Sequence, residues 1–93
     1  MEFKQDSNRI YLENEEGNMI AEVTFPLVRE KVVNINHTFV DDSLRGQGIA
    51  GKLMEEVVKR LKAENKKAYL TCSYAVSWFE KNKQYSDLIS GNQ

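Results

Sequence analysis

Three closely spaced glycines are the feature of this sequence best suited to binding chemistry. Residues 44–52 read LRGQGIAGK, with Gly46, Gly48 and Gly51 at the predicted start of a helix. Glycines at such a position let backbone N–H groups approach an anion closely, and the helix N-terminus adds partial positive charge. The stretch is therefore predicted to bind a phosphate group.

Two side chains elsewhere could take part in a reaction. Cys72 is the last residue of a predicted strand and immediately precedes a predicted helix, where the helix dipole favours the nucleophilic thiolate. The alternative for Cys72 is a small buried thiol that continues the apolar face of the strand. His37 could serve as a base or proton relay because imidazole titrates near neutral pH. Its alternative is a structural histidine that shares a face with Ile35 and Phe39.

The elements that must position these residues are predicted in the order β-β-β-α-β-α. Alternating residues predict strands at 9–13, 19–25, 32–40 and 68–72. Apolar residues spaced three and four apart predict a long helix from Ile49 to about Asn65, and a shorter helix follows with Ser73 as its N-cap. A strand, helix, strand run usually closes as a right-handed crossover with parallel strands. The expected fold class is α/β, with a mixed sheet and a parallel strand pair around the glycine loop and long helix.

The third strand is expected to place Val33, Ile35, His37 and Phe39 on one face and Asn34, Asn36 and Thr38 on the other. Its neighbour in the sheet would be the strand that ends at Cys72, so contact between Cys72 and His37 is possible. Residues 90–93 are expected to be loose. Lys52, Lys59 and Arg60 are expected to form a solvated helix face.

Length and charge limit the possible functions. The chain has 93 residues and a net charge of −1, which suits one domain over residues 1–93 without a general attraction to nucleic acid or anionic membranes. The N-terminus lacks an apolar signal core, and no apolar run approaches the ~20 residues that span a bilayer, so a cytoplasmic location is expected. One cysteine excludes an internal disulfide and a multi-thiolate zinc site, and no metal site is predicted.

Several phosphate sites compete for the glycine stretch. Gly46 and Gly51-Lys52 have the spacing of a P-loop, but Leu53 stands where a Ser or Thr should coordinate magnesium. Gly46, Gly48 and Gly51 also match G-x-G-x-x-G, yet the following strand lacks the acid that binds a ribose. A third alternative is that the glycines only start and cap a helix.

Residues 45–50, RGQGIA, resemble the R/Q-x-x-G-x-G/A signature of the GNAT superfamily of acyl-CoA N-acyltransferases. In that family the motif joins a strand to a long helix, and its backbone amides hold the coenzyme A pyrophosphate. The resemblance implies that the backbone around Val40 pairs with the pantetheine arm of acetyl-CoA. It also implies that the residues of the glycine loop contact the pyrophosphate, namely Arg45, Gly46, Gln47, Gly48, Ile49, Ala50 and Gly51.

The wider pattern resembles a small single-domain branch of that superfamily. His37-Thr38 precedes the loop, and Cys72-Ser73-Tyr74 follows the long helix. By this resemblance Cys72 is an active-site candidate, and Tyr74 is a second candidate that would protonate the coenzyme thiolate. Tyr74 could instead pack or cap beside Ser73. The N-terminal helices that usually build the acceptor pocket are absent, so the acceptor amine is unknown, and an open groove or a dimer would complete the site.

These observations favour an acetyl-CoA-dependent N-acetyltransferase with Cys72, His37 and Tyr74 near the thioester. The partners expected are acyl-CoA and an amine acceptor, with the chain a monomer or weak homodimer and no metal cofactor. The alternative is a non-catalytic module that binds acyl-CoA or another protein.

Overall fold

Alternating apolar residues form the first strands of the structure, a computed structural model that describes residues 2–92. Ile10 and Leu12 are buried on one strand, and Ala21 and Val23 are buried on the next. The turn between them is closed by Asn14, whose side-chain oxygen accepts hydrogen bonds from the backbone N–H groups of residues 16 and 18. The two strands therefore pair as an antiparallel hairpin with one face in the core.

The elements follow in an order that extends the predicted one. The strands are β1 (Lys4–Asp6), β2 (Arg9–Glu13), β3 (Met19–Thr24), β4 (Leu27–Arg29), β5 (Val32–Ile35), β6 (His37–Val40), β7 (Lys67–Leu70) and β8 (Ile89–Asn92). The helices are α1 (Ile49–Glu64) and α2 (Ser73–Lys81), with short 3-10 segments at Asp42–Leu44 and Lys83–Leu88.

The strands form two four-stranded sheets. The first sheet has the order β1-β2-β3-β6 and is antiparallel. The second has the order β4-β5-β7-β8, in which β7 pairs in parallel with both β5 and β8. The parallel pair β5–β7, joined through the glycine loop and α1, confirms the predicted strand, helix, strand unit.

The predicted third strand, residues 32–40, divides at Asn36. Its first half is β5, in the second sheet, and its second half is β6, in the first sheet. At Asn36 the backbone N–H donates to the Thr24 carbonyl and the side-chain oxygen accepts from the Thr24 hydroxyl. One chain segment therefore passes from one sheet to the other, and the two sheets separate beyond this point.

One apolar core lies under α1 and between the sheets. The helix buries a stripe that includes Leu53, Met54 and Val57, each 0 % exposed, against the apolar faces of β2 and β3. α1 ends as predicted, with Asn65 in the left-handed conformation after its last turn. Arg60 does not belong to a solvated face, because its side chain is only 17 % exposed and donates to the turn after β1.

Three short strands escaped the sequence patterns. β1 and β4 have three residues each, too few for alternation to be visible. β8 includes residues 90–92, which were expected to be loose, and pairs with β7. Of that predicted loose end, Gln93 lies outside the described residues. Ser73 was wrong as the N-cap of α2, because Cys72 occupies that position and Ser73 is the first helical residue.

Candidate functional site

A cleft opens where the parallel strands separate. The Ile35 carbonyl accepts the last hydrogen bonds across the β5–β7 pair, from the N–H groups of Thr71 and Cys72 at 3.2 and 3.1 Å. Beyond it, β6 continues with the first sheet while the chain after β7 turns into α2. The vertex of this V lies at Ile35 and Cys72, and its arms are β6 and the N-terminus of α2.

β6 presents an unpaired backbone edge to the cleft. β6 is the edge strand of its sheet, and the Asp41 N–H donates to the Ile20 carbonyl of β3 at 2.8 Å. Because the backbone groups of an antiparallel strand alternate in direction, those of Val40 and Thr38 point away from β3. Val40, a predicted contact for the pantetheine arm, thus offers its N–H and carbonyl groups to this open edge.

The glycine loop forms a tight turn at the wide end of the same cleft. Gly46 and Gly48 have φ angles of 80° and 69°, the left-handed region that favours glycine. Gly48 is the N-cap residue of α1, and it has no side chain with which to bond the first amides of the helix. A Cβ built on either glycine would meet nothing within 4 Å, so the space over these amides is open.

The charged side chains beside the glycine turn are exposed to solvent and only weakly paired. The Arg45 guanidinium lies 3.0 Å from a carboxylate oxygen of Asp42, with side chains 81 % and 86 % exposed. Such an exposed pair contributes only about 0–1 kcal/mol, so a phosphate could replace the carboxylate at little cost. Asp41 accepts from the hydroxyl and backbone N–H of Ser43, which lowers the pKa of the Asp41 carboxyl. The first turn of α1 contains no acidic residue.

The remaining loop residues differ in what they can offer a ligand. The Gln47 side chain is exposed, Ala50 is half-buried, and the Ile49 side chain is buried in the core, which leaves its backbone amide for the cleft. Gly51 lies in the first turn of α1. A Cβ at this position would be 3.5 Å from Trp78 Nε1 and 3.9 Å from the Tyr74 hydroxyl.

Tyr74 stands beside the first turn of α1, close to Gly51. Its side chain is 38 % exposed, and partial burial raises the pKa of the Tyr74 phenol above its usual value. The phenol is therefore fully protonated at neutral pH and can donate a proton. The structure brings Tyr74 together with the glycine turn, although the two are far apart in sequence.

Cys72 bridges the two arms of the cleft. Its Sγ lies 3.4 Å from the Thr38 hydroxyl oxygen on β6. Both side chains are half-buried, and Cys72 packs against the core. The contact places a thiol next to the unpaired edge of β6, near the vertex of the V.

The prediction that His37 shares a face with Val33 and Ile35 was wrong. Val33 and Ile35 are buried, whereas the His37 side chain is 53 % exposed and Phe39 is 37 % exposed. The irregularity at Asn36 reverses the alternation, since a one-residue shift turns every later side chain to the opposite face. The side chain beside Cys72 is consequently that of Thr38, on the helix side of the sheet.

On the opposite side, His37 meets residues that the sequence analysis did not single out. Its Nε2 lies 3.5 Å from one carboxylate oxygen of Glu22, whose other oxygen accepts from Arg9 Nε. Glu22 on β3 and Thr38 on β6 are thus the contacts of His37 and Cys72 that the sequence did not predict. Thr38 adjoins His37 in sequence, but nothing local to Glu22 marks it, because its position depends on the pairing of β3 with β6.

A cavity of about 450 Å³ lies away from these residues. It is lined mainly by Leu70, Val76, Phe79 and Ile89, on the side of α2 that faces β8. None of the predicted site residues contributes to it. Its lining is mostly apolar, and it lies apart from the glycine turn and from Cys72, His37 and Tyr74.

Among residues 2–92, no group of three His, Cys, Asp or Glu side chains comes together as metal ligands would. Within the same residues, no helix combines the length and apolar character needed to cross a bilayer.

Known proteins show the same sequence pattern. A sequence model of the family described as GCN5-related N-acetyl-transferase matches residues 9–88. Protein NATD1 of Xenopus tropicalis is 36 % identical over 62 residues, which cover 67 % of this chain and 57 % of that protein. The human protein NATD1 is 34 % identical over 62 residues, covering 67 % and 55 % of the respective chains. This chain thus matches little more than half the length of these curated relatives.

Known structures show the same fold. The solution structure of a GCN5-like protein from Staphylococcus aureus has a TM-score of 0.81 and 38 % identity, covering 99 % of this chain and 90 % of that one. The ribosomal-protein-S18-alanine N-acetyltransferase from Escherichia coli has a TM-score of 0.64 and 19 % identity, covering 83 % and 53 %. The second likeness supports the fold alone.

Proposed function

The chain belongs to the GCN5-related N-acetyltransferase family, and from this premise we propose that it transfers an acetyl group from acetyl-CoA to an amine. One observation supports the proposal most strongly: the glycine turn at the start of α1 opens onto the cleft between separated parallel strands. The turn supplies amides for a pyrophosphate, and the cleft supplies an unpaired strand edge for the pantetheine arm.

The coenzyme would lie along the cleft in an extended form. The amides of Arg45 and Gln47 already donate to the carbonyls of Asp42 and Leu44. The pyrophosphate would therefore accept hydrogen bonds from the amides of Gly46 and of residues 48–51, where the dipole of α1 favours negative charge. Its pantetheine amides would pair with the backbone of Val40 and Thr38 as an added strand does. The thioester would then reach the vertex of the V, beside Cys72.

Acetyl transfer forms a bond between the acceptor nitrogen and the acetyl carbon and breaks the bond between that carbon and sulfur. The coenzyme leaves as a thiolate, and Tyr74 would supply the proton that this thiolate takes up. By a covalent route, the Cys72 sulfur would lose its proton to solvent and bond to the acetyl carbon as the bond to the coenzyme sulfur breaks. The amine would then break the bond to Cys72, which would regain a proton. By a direct route, Cys72 would only hold the thioester in place while the amine attacks it. A cytoplasmic location and a monomeric or weakly dimeric state are part of this proposal.

The test is coenzyme affinity after substitution of one glycine. Gly48→Asp places a carboxylate where the pyrophosphate would bind, and calorimetry should show at least about a tenfold loss of acetyl-CoA affinity, as expected for a like charge at an anion site. Gly17→Asp is the matched control, because Gly17 also has a positive φ, 84°, and open space around it. The strain is similar, but Gly17 lies in the β2–β3 turn.

The result separates the proposed enzyme from a protein-interaction module. Loss of affinity in Gly48→Asp and retention in Gly17→Asp would support the coenzyme site. No binding by the unchanged chain at millimolar acetyl-CoA would favour the module. Binding without turnover against any amine would favour a non-catalytic acyl-CoA-binding domain.

A further inference from the structure

An ordered row of side chains lies on the face of the first sheet that is opposite α1. Cross-strand pairing sets Tyr11, Glu22 and Phe39 side by side on three adjacent strands. His37 lies next to this row on the same face of β6, because it is two residues from Phe39. The row begins at β2 and ends at the strand that borders the cleft.

Glu22 connects His37 to a fixed part of this face. One oxygen of its carboxylate faces His37 Nε2 at 3.5 Å, and the other accepts from Arg9 Nε. The Glu22 side chain is only 15 % exposed, and the Arg9 guanidinium also packs over the Tyr11 ring at 3.8 Å. Glu22 is therefore held from one side and can orient the exposed imidazole on the other.

The two sides of β6 offer different chemistry to a thioester in the cleft. Thr38 and Cys72 lie on the helix side, where Tyr74 and the start of α1 also lie. That side is occupied by packed helices. His37 and Phe39 lie on the other side, which is exposed to solvent. An amine can reach the acetyl carbon from this second side without displacing a helix.

We propose that Glu22 is a positioning residue that holds His37 as the proton acceptor for an amine entering over the exposed sheet face. The amine is carried on an aliphatic stem, as in a lysine side chain. The stem packs on the exposed ring of Phe39, because an aromatic ring binds an apolar chain and attracts a nearby cation. The inference rests on the proposed function and names the acceptor class for the same site.

One proton is accepted and one is donated, by side chains on opposite sides of β6. The neutral amine attacks the acetyl carbon, the C–N bond forms and the C–S bond breaks. Nitrogen loses one proton to Nδ1 of His37, whose Nε2–H faces Glu22. The departing thiolate takes a proton from Tyr74, and both side chains exchange protons with solvent before the next cycle. No oxidant, reductant or metal is needed.

A coenzyme conjugate tests the entry face directly. Its sulfur is joined through an acetyl linker to the side-chain nitrogen of N-acetyl-lysine amide, so the acceptor portion must lie where the acceptor binds. We expect the labelled full chain to show amide shifts at Gly46 and Gly48 with both acetyl-CoA and the conjugate. The conjugate should add shifts at Glu22, His37 and Phe39.

Other shift patterns would overturn the inference in distinguishable ways. Added shifts at Val76, Phe79 and Ile89 would place the acceptor in the cavity beside β8, while the coenzyme site would stand. If the conjugate gave no shifts beyond those of acetyl-CoA, the acceptor would not bind on the exposed sheet face. An absence of shifts at Gly46 and Gly48 would instead contradict the proposed coenzyme site itself.

Turnover with N-acetyl-lysine amide tests the roles of the pair. His37→Ala should lower kcat about 10²–10⁴-fold and recover activity with added imidazole, since a missing general base can be replaced from solution. Glu22→Gln should lower kcat about tenfold or more, the loss of one charge-assisted contact, with little change in KM for acetyl-CoA. Glu13→Gln, on the same sheet face and paired with Lys4, is the control and should behave as wild type.

Three results would contradict the assignment. Imidazole could fail to restore His37→Ala, which would point to a structural role for the histidine. Glu22→Gln could match Glu13→Gln, which would remove the positioning role. The unchanged chain could bind acetyl-CoA but release no coenzyme A with this amine, which would reject the acceptor class.

Discussion

At the scale of the residue, the contact between Cys72 and Thr38 matters most for the chemistry. The thiol and hydroxyl join the two arms of the cleft at 3.4 Å. The sequence indicated Cys72 as a candidate and made its contact with His37 possible, because the two residues were expected on neighbouring parallel strands. In the structure Thr38 is the neighbour of Cys72, so the Cys72 thiol and the His37 imidazole lie on opposite sides of β6.

Replacement of Cys72 separates catalysis from binding. If Cys72 carries the acetyl group, Cys72→Ala should abolish acetyl transfer and leave acetyl-CoA affinity within about twofold, because the proposed coenzyme contacts are mainly to backbone groups elsewhere in the cleft. Coenzyme release with a saturating amine and calorimetry measure the two quantities. Thr38→Ser retains the hydroxyl and is the matched variant that should keep turnover. Full turnover in Cys72→Ala would reject the cysteine mechanism.

Tyr74 gives a prediction in pH. Burial raises the pKa of the Tyr74 phenol above its ordinary value of 10.0, so this phenol ionises at a lower pH in the unfolded chain than in the folded one. The contribution of the protonated phenol to stability is fully present below the pKa of the unfolded state. It is lost as the pH rises through the pKa of the folded state. Urea midpoints measured from pH 8 to 11 should therefore fall more steeply for wild type than for Tyr74→Phe. Parallel curves would show that the phenol titrates alike in both states.

At the scale of the element, the sequence predicted the unit that carries the site but missed its irregularity. Alternating residues, the glycines and the apolar spacing of α1 predicted a strand, a turn, a helix and a strand in that order. The division at Asn36 depends on long-range pairing of β6 with β3, so alternation read along one strand could not locate it. Glu22 was missed for the same reason, because its contact with His37 exists only after those strands pair.

Arg60 provides a test of how the elements are held together. Its guanidinium donates to Gln5 Oε1 and to the carbonyls of Asp6 and Ser7, which fixes α1 to the β1–β2 turn. Arg60→Ala should lower the free energy of unfolding by about 1–3 kcal/mol, measured by urea denaturation.

The neighbouring lysine is the control for Arg60. Lys59 has a side chain 72 % exposed and, among residues 2–92, forms an ion pair with Glu56 alone, so Lys59→Ala should change stability by no more than about 0.5 kcal/mol. Equal effects of the two substitutions would mean that the contacts of Arg60 with the turn contribute little in solution.

At the scale of the whole molecule, one small core supports both sheets. For 93 residues, the total free energy of unfolding is expected to be about 5–14 kcal/mol. Leu53 is fully buried on α1. Leu53→Ala should lower the free energy of unfolding by about 2–5 kcal/mol, because apolar burial is lost and a cavity remains. Thermal and urea unfolding should show this as a large fraction of total stability. Glu55→Ala, at an exposed position of the same helix, should have little effect.

The central claim is that acetyl-CoA binds with its pyrophosphate on the glycine turn and its thioester beside Cys72. The most direct measurement is a two-dimensional NMR titration of the labelled chain with acetyl-CoA, which a protein of 93 residues permits. We predict amide shifts at Gly46, Gly48 and Ile49, and a second group around Cys72. The account would be contradicted if millimolar acetyl-CoA shifted neither group, or shifted only residues that line the cavity beside β8.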